Sequence, residues 1–92
     1  MIRSFKSRPL KLLYQFDDSS RIAPNMRNKI EDILSFLDNM DDPRGVKVPQ
    51  WHLHPLRGDR KGQWSLRVSG NWRIIFRFVE GNVEEVDLVD YH

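Results

Sequence analysis

Two arginines and three histidines are the residues of this chain best equipped for chemistry. Arg67 and Arg73 flank the turn residues Ser69, Gly70 and Asn71, and a hairpin there makes the two arginines direct cross-strand neighbours. Like charges in that position repel by a few tenths to about 1 kcal/mol, so the pair either splays into water or shares an anion. A guanidinium fork matches the oxygens of a phosphate. The pair lies in a denser block: Arg57, Arg60, Lys61, Arg67, Arg73 and Arg77 stand against Asp59 alone, a local balance of +5 in a chain of net charge +2. Such a block is the footprint of a polyanion, or equally a solvated strand face. Imidazole is the side chain that titrates nearest neutral pH, which suits His52, His54 and His92 to proton transfer. His52 and His54 share a side if their segment is extended, so a metal site is an alternative, although no third ligand is near in sequence. Asp90, Tyr91 and His92 form a titratable cluster at the end of a strand, where fraying is the ordinary expectation.

The elements that must position these groups follow from periodicity. Ile2, Arg3, Ser4 and Phe5 read as a short first strand. Pro9 then begins a helix carrying Leu10, Leu13 and Tyr14 on one side, and Ser19 and Ser20 break it. Pro24 opens a second helix whose Met26, Ile30, Ile33, Leu34 and Leu37 make one apolar stripe, closed by Asp41, Asp42 and Pro43. The segment Trp51 to Pro55 is too short to assign. From Gln63 the period becomes two: Trp64, Leu66 and Val68 fall on one face, and Gln63, Ser65 and Arg67 on the other. Trp72, Ile74, Phe76 and Phe78 continue the apolar face, and these aromatics read as packing and not as a platform for bases.

Matching apolar faces across the turns fixes a register. A three-residue loop at Ser69, Gly70 and Asn71 pairs Val68 with Trp72, Leu66 with Ile74 and Trp64 with Phe76. A similar loop at Glu80, Gly81 and Asn82 pairs Phe76 with Val86, Ile74 with Leu88, and Arg77 with Glu85. The expected fold is α+β in the order β-α-α-β-β-β, a small antiparallel sheet with two N-terminal helices on one face and the other face wet. Residues 1–92 form one domain.

Several classes are excluded. A chain of 92 residues buries only about 60 to 65% of its unfolded surface, enough for one thin core. There is no cysteine, so neither disulfides nor thiolate metal sites are available. The longest apolar run, Ile74 to Phe76, is far below the roughly 20 residues of a membrane span. The basic opening, Met1 to Leu13, lacks the apolar run and small-residue cleavage site of a leader, so a cytoplasmic location is expected.

Leu53, His54, Pro55, Leu56, Arg57, Gly58, Asp59, Arg60, then Gly62, Trp64, Ser65, then Asn71, Trp72, Arg73, Ile74, and finally Asp90, Tyr91, His92 closely resemble the HigB toxins of the RelE superfamily. Met1 to Phe5 fits as well, and the likeness is loose only through the helices. The resemblance implies an mRNA interferase that cuts mRNA at the ribosomal A site, without cofactor or metal. It also implies neutralisation by a HigA-like helix-turn-helix antitoxin, through which alone operator DNA would be met. The family's functional positions carry over to His54, Arg73, Asp90, Tyr91 and His92, with a cation at Arg57. Relatives often have lysine there, and arginine keeps the charge while fitting a phosphate clamp better than an acid. Arg60, Lys61 and Arg67 are further candidates for RNA contacts. In a straight last strand Asp90 and His92 share the apolar face with Leu88 while Tyr91 faces Arg73, so convergence of the three requires a bulge after Val89. A ParE-like gyrase poison would share the fold, and a non-catalytic RNA- or ribosome-binding module would need only the basic face. Neither has a use for the titratable cluster.

Overall fold

The computed structural model describes residues 1–44 and 46–90, and its elements follow from local chemistry. Helix α1 spans Arg8–Phe16; the Ser7 side chain accepts the amide of Leu10, Pro9 occupies the first turn, and Asp17 ends the helix in a left-handed conformation (φ 55°). Helix α2, Pro24–Asn39, opens on its proline without a side-chain cap and buries Met26, Ile30, Ile33, Leu34 and Leu37, the five residues of the expected stripe. A two-residue strand β1, His54–Pro55, precedes three longer ones: β2 (Gln63–Ser69), β3 (Trp72–Val79) and β4 (Asn82–Asp90). They form an antiparallel meander in the order β1-β2-β3-β4.

The core lies between the helices and one face of this sheet. Leu10, Ile30, Ile33 and Leu37 meet Leu66, Val68, Ile74, Phe76, Val83 and Val86, all sealed from solvent. The expected α+β arrangement is therefore the observed one, with two local differences at its edges. The N-terminal segment makes only two isolated parallel bridges to β4, Ile2 to Val83 and Phe5 to Val86, where a continuous strand was expected. Between them β4 kinks: Glu85 is left-handed (φ 54°) and its amide turns to the Ser4 hydroxyl at 2.8 Å. The second difference is β1, which the short segment around His54 did not announce.

Register holds in the middle of each hairpin and shifts toward one side. Leu66 pairs with Ile74, Trp64 with Phe76 and Arg67 with Arg73, as expected, but Ser69 and not Val68 pairs with Trp72. The loop is thus two residues, Gly70 and Asn71, and Val68 is the extra residue of a bulge. That slip leaves Val68 fully buried and Trp72 36% exposed, so Trp72 does not belong to the core with Trp64, Phe76 and Phe78. The second hairpin repeats the device. Its turn is Glu80 and Gly81, both with positive φ (50° and 83°), as a two-residue turn of primed type needs. Arg77 pairs with Glu84, Phe78 with Val83, and a bulge at Glu85 and Val86 restores Ile74 opposite Leu88. Arg77 still meets Glu85 through its side chain, Nε to carboxylate at 2.9 Å.

The face away from the helices is not uniformly wet. Gln63, Ser65 and Ile75 are buried there, and Ile75 lies outside the main core cluster.

Candidate active site

The two cross-strand rows on this second face carry the chemistry. His54 pairs with Ser65, Ser65 with Ile75 and Ile75 with Asp87; in the adjoining row Arg67 pairs with Arg73 and Arg73 with Val89. Side chains two apart on a strand share a face. His54, Ser65, Arg67 and Arg73 therefore converge on one side of the sheet. An open groove of about 280 Å³ runs among His52, His54, Leu56, Ser65 and Arg73.

Each of these groups is held by its element. The Arg73 guanidinium folds back onto the β2–β3 turn, Nη1 donating to Gly70 O at 2.7 Å and to Trp72 O at 3.0 Å. Its half-buried stem and its contact row with Arg67 keep two cations adjacent, the repulsive arrangement that the register required. His54 Nδ1 is 2.7 Å from His52 O, and the two imidazoles are 4.6 Å apart between centroids. Ser65, the cross-strand partner of His54, is buried. It is a groove residue that the sequence reading did not single out; its signal was a small side chain on the polar parity of a strand otherwise carrying Gln63 and Arg67.

Arg57, Arg60 and Lys61 are all exposed on the β1–β2 loop, which a 3-10 turn at Gly58–Arg60 tightens and a Leu56 N to Gln63 O bond of 2.8 Å closes. This loop lies at the opposite end of β2 from Arg67. The basic block is thereby divided into two groups at the two ends of the strand.

Asp90 is not brought to the groove by its register. It pairs with Trp72 beside Leu88, while Val89 is the residue that pairs with Arg73. The bulge expected after Val89 is absent through Asp90: pairing is regular from Asp87 to Asp90, and the bulge of β4 sits at Glu85 and Val86. Glu85 is left-handed at this bulge, and the outer edge of β4 there bonds the N-terminal segment through Val83 and Val86. Tyr91 and His92 lie outside the described residues. Among the described residues no group of three His, Cys, Asp or Glu side chains gathers as a metal would require, and no helix is long and apolar enough to cross a membrane.

Known proteins similar to this chain in sequence or in fold agree with one another. A family model described as the RelE-like toxin of type II toxin-antitoxin system HigB matches residues 3–92. Endoribonuclease HigB of Proteus vulgaris is 38% identical over 92 residues, 100% of both chains. Toxin HigB-1 of Vibrio cholerae is 30% identical over 83 residues, 88% of this chain and 87% of that one. Among solved structures, YafQ from E. coli superposes with a TM-score of 0.61 at 16% identity, covering 98% of this chain and 93% of its own. The YoeB dimer from Staphylococcus aureus gives 0.60 at 18% identity, covering 99% and 97%. At such low identity the solved structures speak for the fold alone, whereas the full-length sequence matches speak for the family: the chain belongs to the HigB family of RelE-like toxins of type II toxin-antitoxin systems.

Proposed function

We propose that this HigB-family endoribonuclease cuts mRNA in the ribosomal A site by activating a ribose 2′-OH, and that a HigA-like helix-turn-helix antitoxin holds it inactive in the cytoplasm. Operator DNA would be engaged only through that antitoxin. The observation that carries the reading is the groove lined by His54 and Arg73 on one face of the sheet, with Arg67 the cross-strand partner of Arg73. A proton-transfer group next to a fork of phosphate donors is the minimum that strand cleavage by an internal nucleophile needs.

In this mechanism the 2′-OH loses its proton to an enzymic base, and its oxygen bonds to the adjacent phosphorus. The bond from phosphorus to the 5′ oxygen breaks, and an enzymic acid protonates the leaving oxygen. The products carry a 2′,3′-cyclic phosphate and a 5′-hydroxyl. Arg73 and Arg67 stabilise the extra negative charge of the transition state. Arg57, Arg60 and Lys61, at the far end of β2, hold the flanking RNA backbone. Tyr91 and His92 supply the remaining proton-transfer and positioning groups, and Asp90, which its register holds off the groove, orients His92.

The test is primer-extension mapping of ribosome-bound mRNA, with naked mRNA alongside, and a parallel gyrase assay. Discrete cuts within A-site codons that need ribosomes are expected. Intact mRNA with inhibited gyrase would replace the reading by a ParE-like one, and retention on ribosomes without cuts by a binding module.

A further inference from the structure

The groove contains one backbone conformation that its sequence does not favour. His52 ends the 3-10 turn at Pro49–Trp51 in the left-handed region (φ 51°, ψ 52°), where a residue with a Cβ is strained. The turn holds it there: its amide donates to Val48 O at 3.1 Å and Pro49 O at 3.3 Å, and Trp51 is wedged edge-on against Phe36 of α2, 5.4 Å between ring centres. Strain kept in place by its surroundings at a groove is a positioning device in search of its object. The object is two residues away. The left-handed twist brings the His52 carbonyl to 2.7 Å from Nδ1 of His54. A carbonyl oxygen only accepts, so Nδ1 must carry the hydrogen, and in a neutral imidazole the lone pair then sits on Nε2.

We propose that His52 is a positioning residue: its strained backbone, not its imidazole, fixes His54 as the Nδ1–H tautomer and so makes Nε2 the general base of the reaction. The catalytic part of this assignment rests on the nuclease reading above; the tautomer does not. When Nε2 takes the 2′-OH proton, the cation that forms still donates from Nδ1 to the His52 carbonyl. The imidazole need not turn during the step. The second end of the His54 segment is fixed by the β1–β2 ladder, through the pairing of His54 with Ser65. His52 thus fills, with a main-chain atom, the place that a carboxylate fills behind the histidine of a catalytic triad. Its former candidacy as a metal ligand is unnecessary to explain why two histidines stand so close.

The test uses the full chain labelled with 15N at histidine, and three proteins: the parent, His52→Gly and His52→Val. Glycine takes up the left-handed conformation without strain, whereas a β-branched valine opposes it. Long-range 15N–1H spectra assign the tautomer, and steady-state cleavage of ribosome-bound mRNA gives kcat and KM. The expected result is Nδ1–H at His54 in the parent and in His52→Gly, with Nε2–H gaining in His52→Val. Cleavage by His52→Gly falls by less than about threefold, the loss of the ring contact alone. In His52→Val, kcat falls on the order of tenfold to a hundredfold with KM little changed, as misorientation of a reacting group predicts. An Nε2–H tautomer in the parent overturns the assignment, as does a His52→Gly variant as slow as His52→Val. If His52→Val does not fold, the parent's tautomer and the His52→Gly rate still decide. A parent that cleaves no RNA, with the Nδ1–H tautomer in place, overturns the nuclease reading and leaves the geometry standing.

Discussion

Replacing Arg73 by alanine should separate activity from stability, and the structure gives the size of both effects. The variant loses two hydrogen bonds from Nη1 to turn carbonyls, each exposed enough for water to take its place. Such bonds contribute about 0.5 to 1.5 kcal/mol when protected and less here. It also loses the repulsion from Arg67 directly opposite, which returns a few tenths to about 1 kcal/mol. The balance is within about 1 kcal/mol, a melting shift of no more than ~4 to 8 °C for a domain of this size. Cleavage should suffer far more, because withdrawing a donor from a developing oxyanion costs on the order of 10² to 10³ in rate. Arg73→Lys should recover part of the loss, since it restores charge without the fork. Single-turnover cleavage of ribosome-bound mRNA and thermal unfolding, measured on the same preparations, make the comparison. A rate within about threefold of the parent refutes the phosphate role. Unfolding at the temperature where the parent is intact shows the residue to be structural.

Substituting His92 by glutamine, or removing it, should lower cleavage by about two or more orders of magnitude while ribosome binding persists, as loss of an acid or base does; near-parental cleavage would remove His92 from the mechanism. The Tyr14 hydroxyl donates to Asp38 at 2.7 Å, which pushes it up to about 12 from 10.0 and holds Asp38 below the ordinary carboxylate range. A group whose folded value is raised stabilises below its unfolded value and loses that contribution as pH rises through the folded one. Urea titrations should therefore show the parent losing its advantage over Tyr14→Phe between about pH 10 and 12, and parallel curves would contradict the linkage. Glu80 occupies the first turn position with φ 50° ahead of Gly81, so Glu80→Asn should stabilise by about 0.5 to 1 kcal/mol in thermal melts by supplying a residue that tolerates this conformation; an unchanged or lower melting temperature would count against the turn's strain.

The helices and the hairpin centres were legible because burial enforces their periods. The stripe from Met26 to Leu37 faces the core as read, and Leu66 meets Ile74 because any other register exposes both. Loop length was not legible in the same way. A three-residue loop and a two-residue turn followed by a bulge produce the same pairing beyond the slip, so Leu66 and Phe76 could not distinguish them. Trp72 and Val68, which lie inside the slip, carried the difference. The buried Ile75 between Arg73 and Arg77 was a visible anomaly on the polar parity, and it marks where the second face closes over Ser65. For the site, the arginine pair could be derived from register, whereas the groove wall at His52 and His54 depends on a two-residue strand and one left-handed residue. Neither leaves a periodic trace. Asp90 was assigned by resemblance, and its pairing with Trp72 is the one that the expected Ile74–Leu88 register extends to, on the face it shares with Leu88.

The seam between the N-terminal segment and β4 has a consequence for how the molecule comes into being. Arg3 and Lys6 donate their amides to Val83 and Val86, and the Ser4 hydroxyl takes the amide of Glu85 across 81 residues of sequence. Contacts so distant along the chain form late, since most of the loop they close must be ordered or crossed first. During synthesis, residues 1–6 emerge well before Val83 to Val86, the strand residues with which they pair. The sheet that presents Arg73 and His54 stays unfinished while β4 remains within the ribosome that is making it.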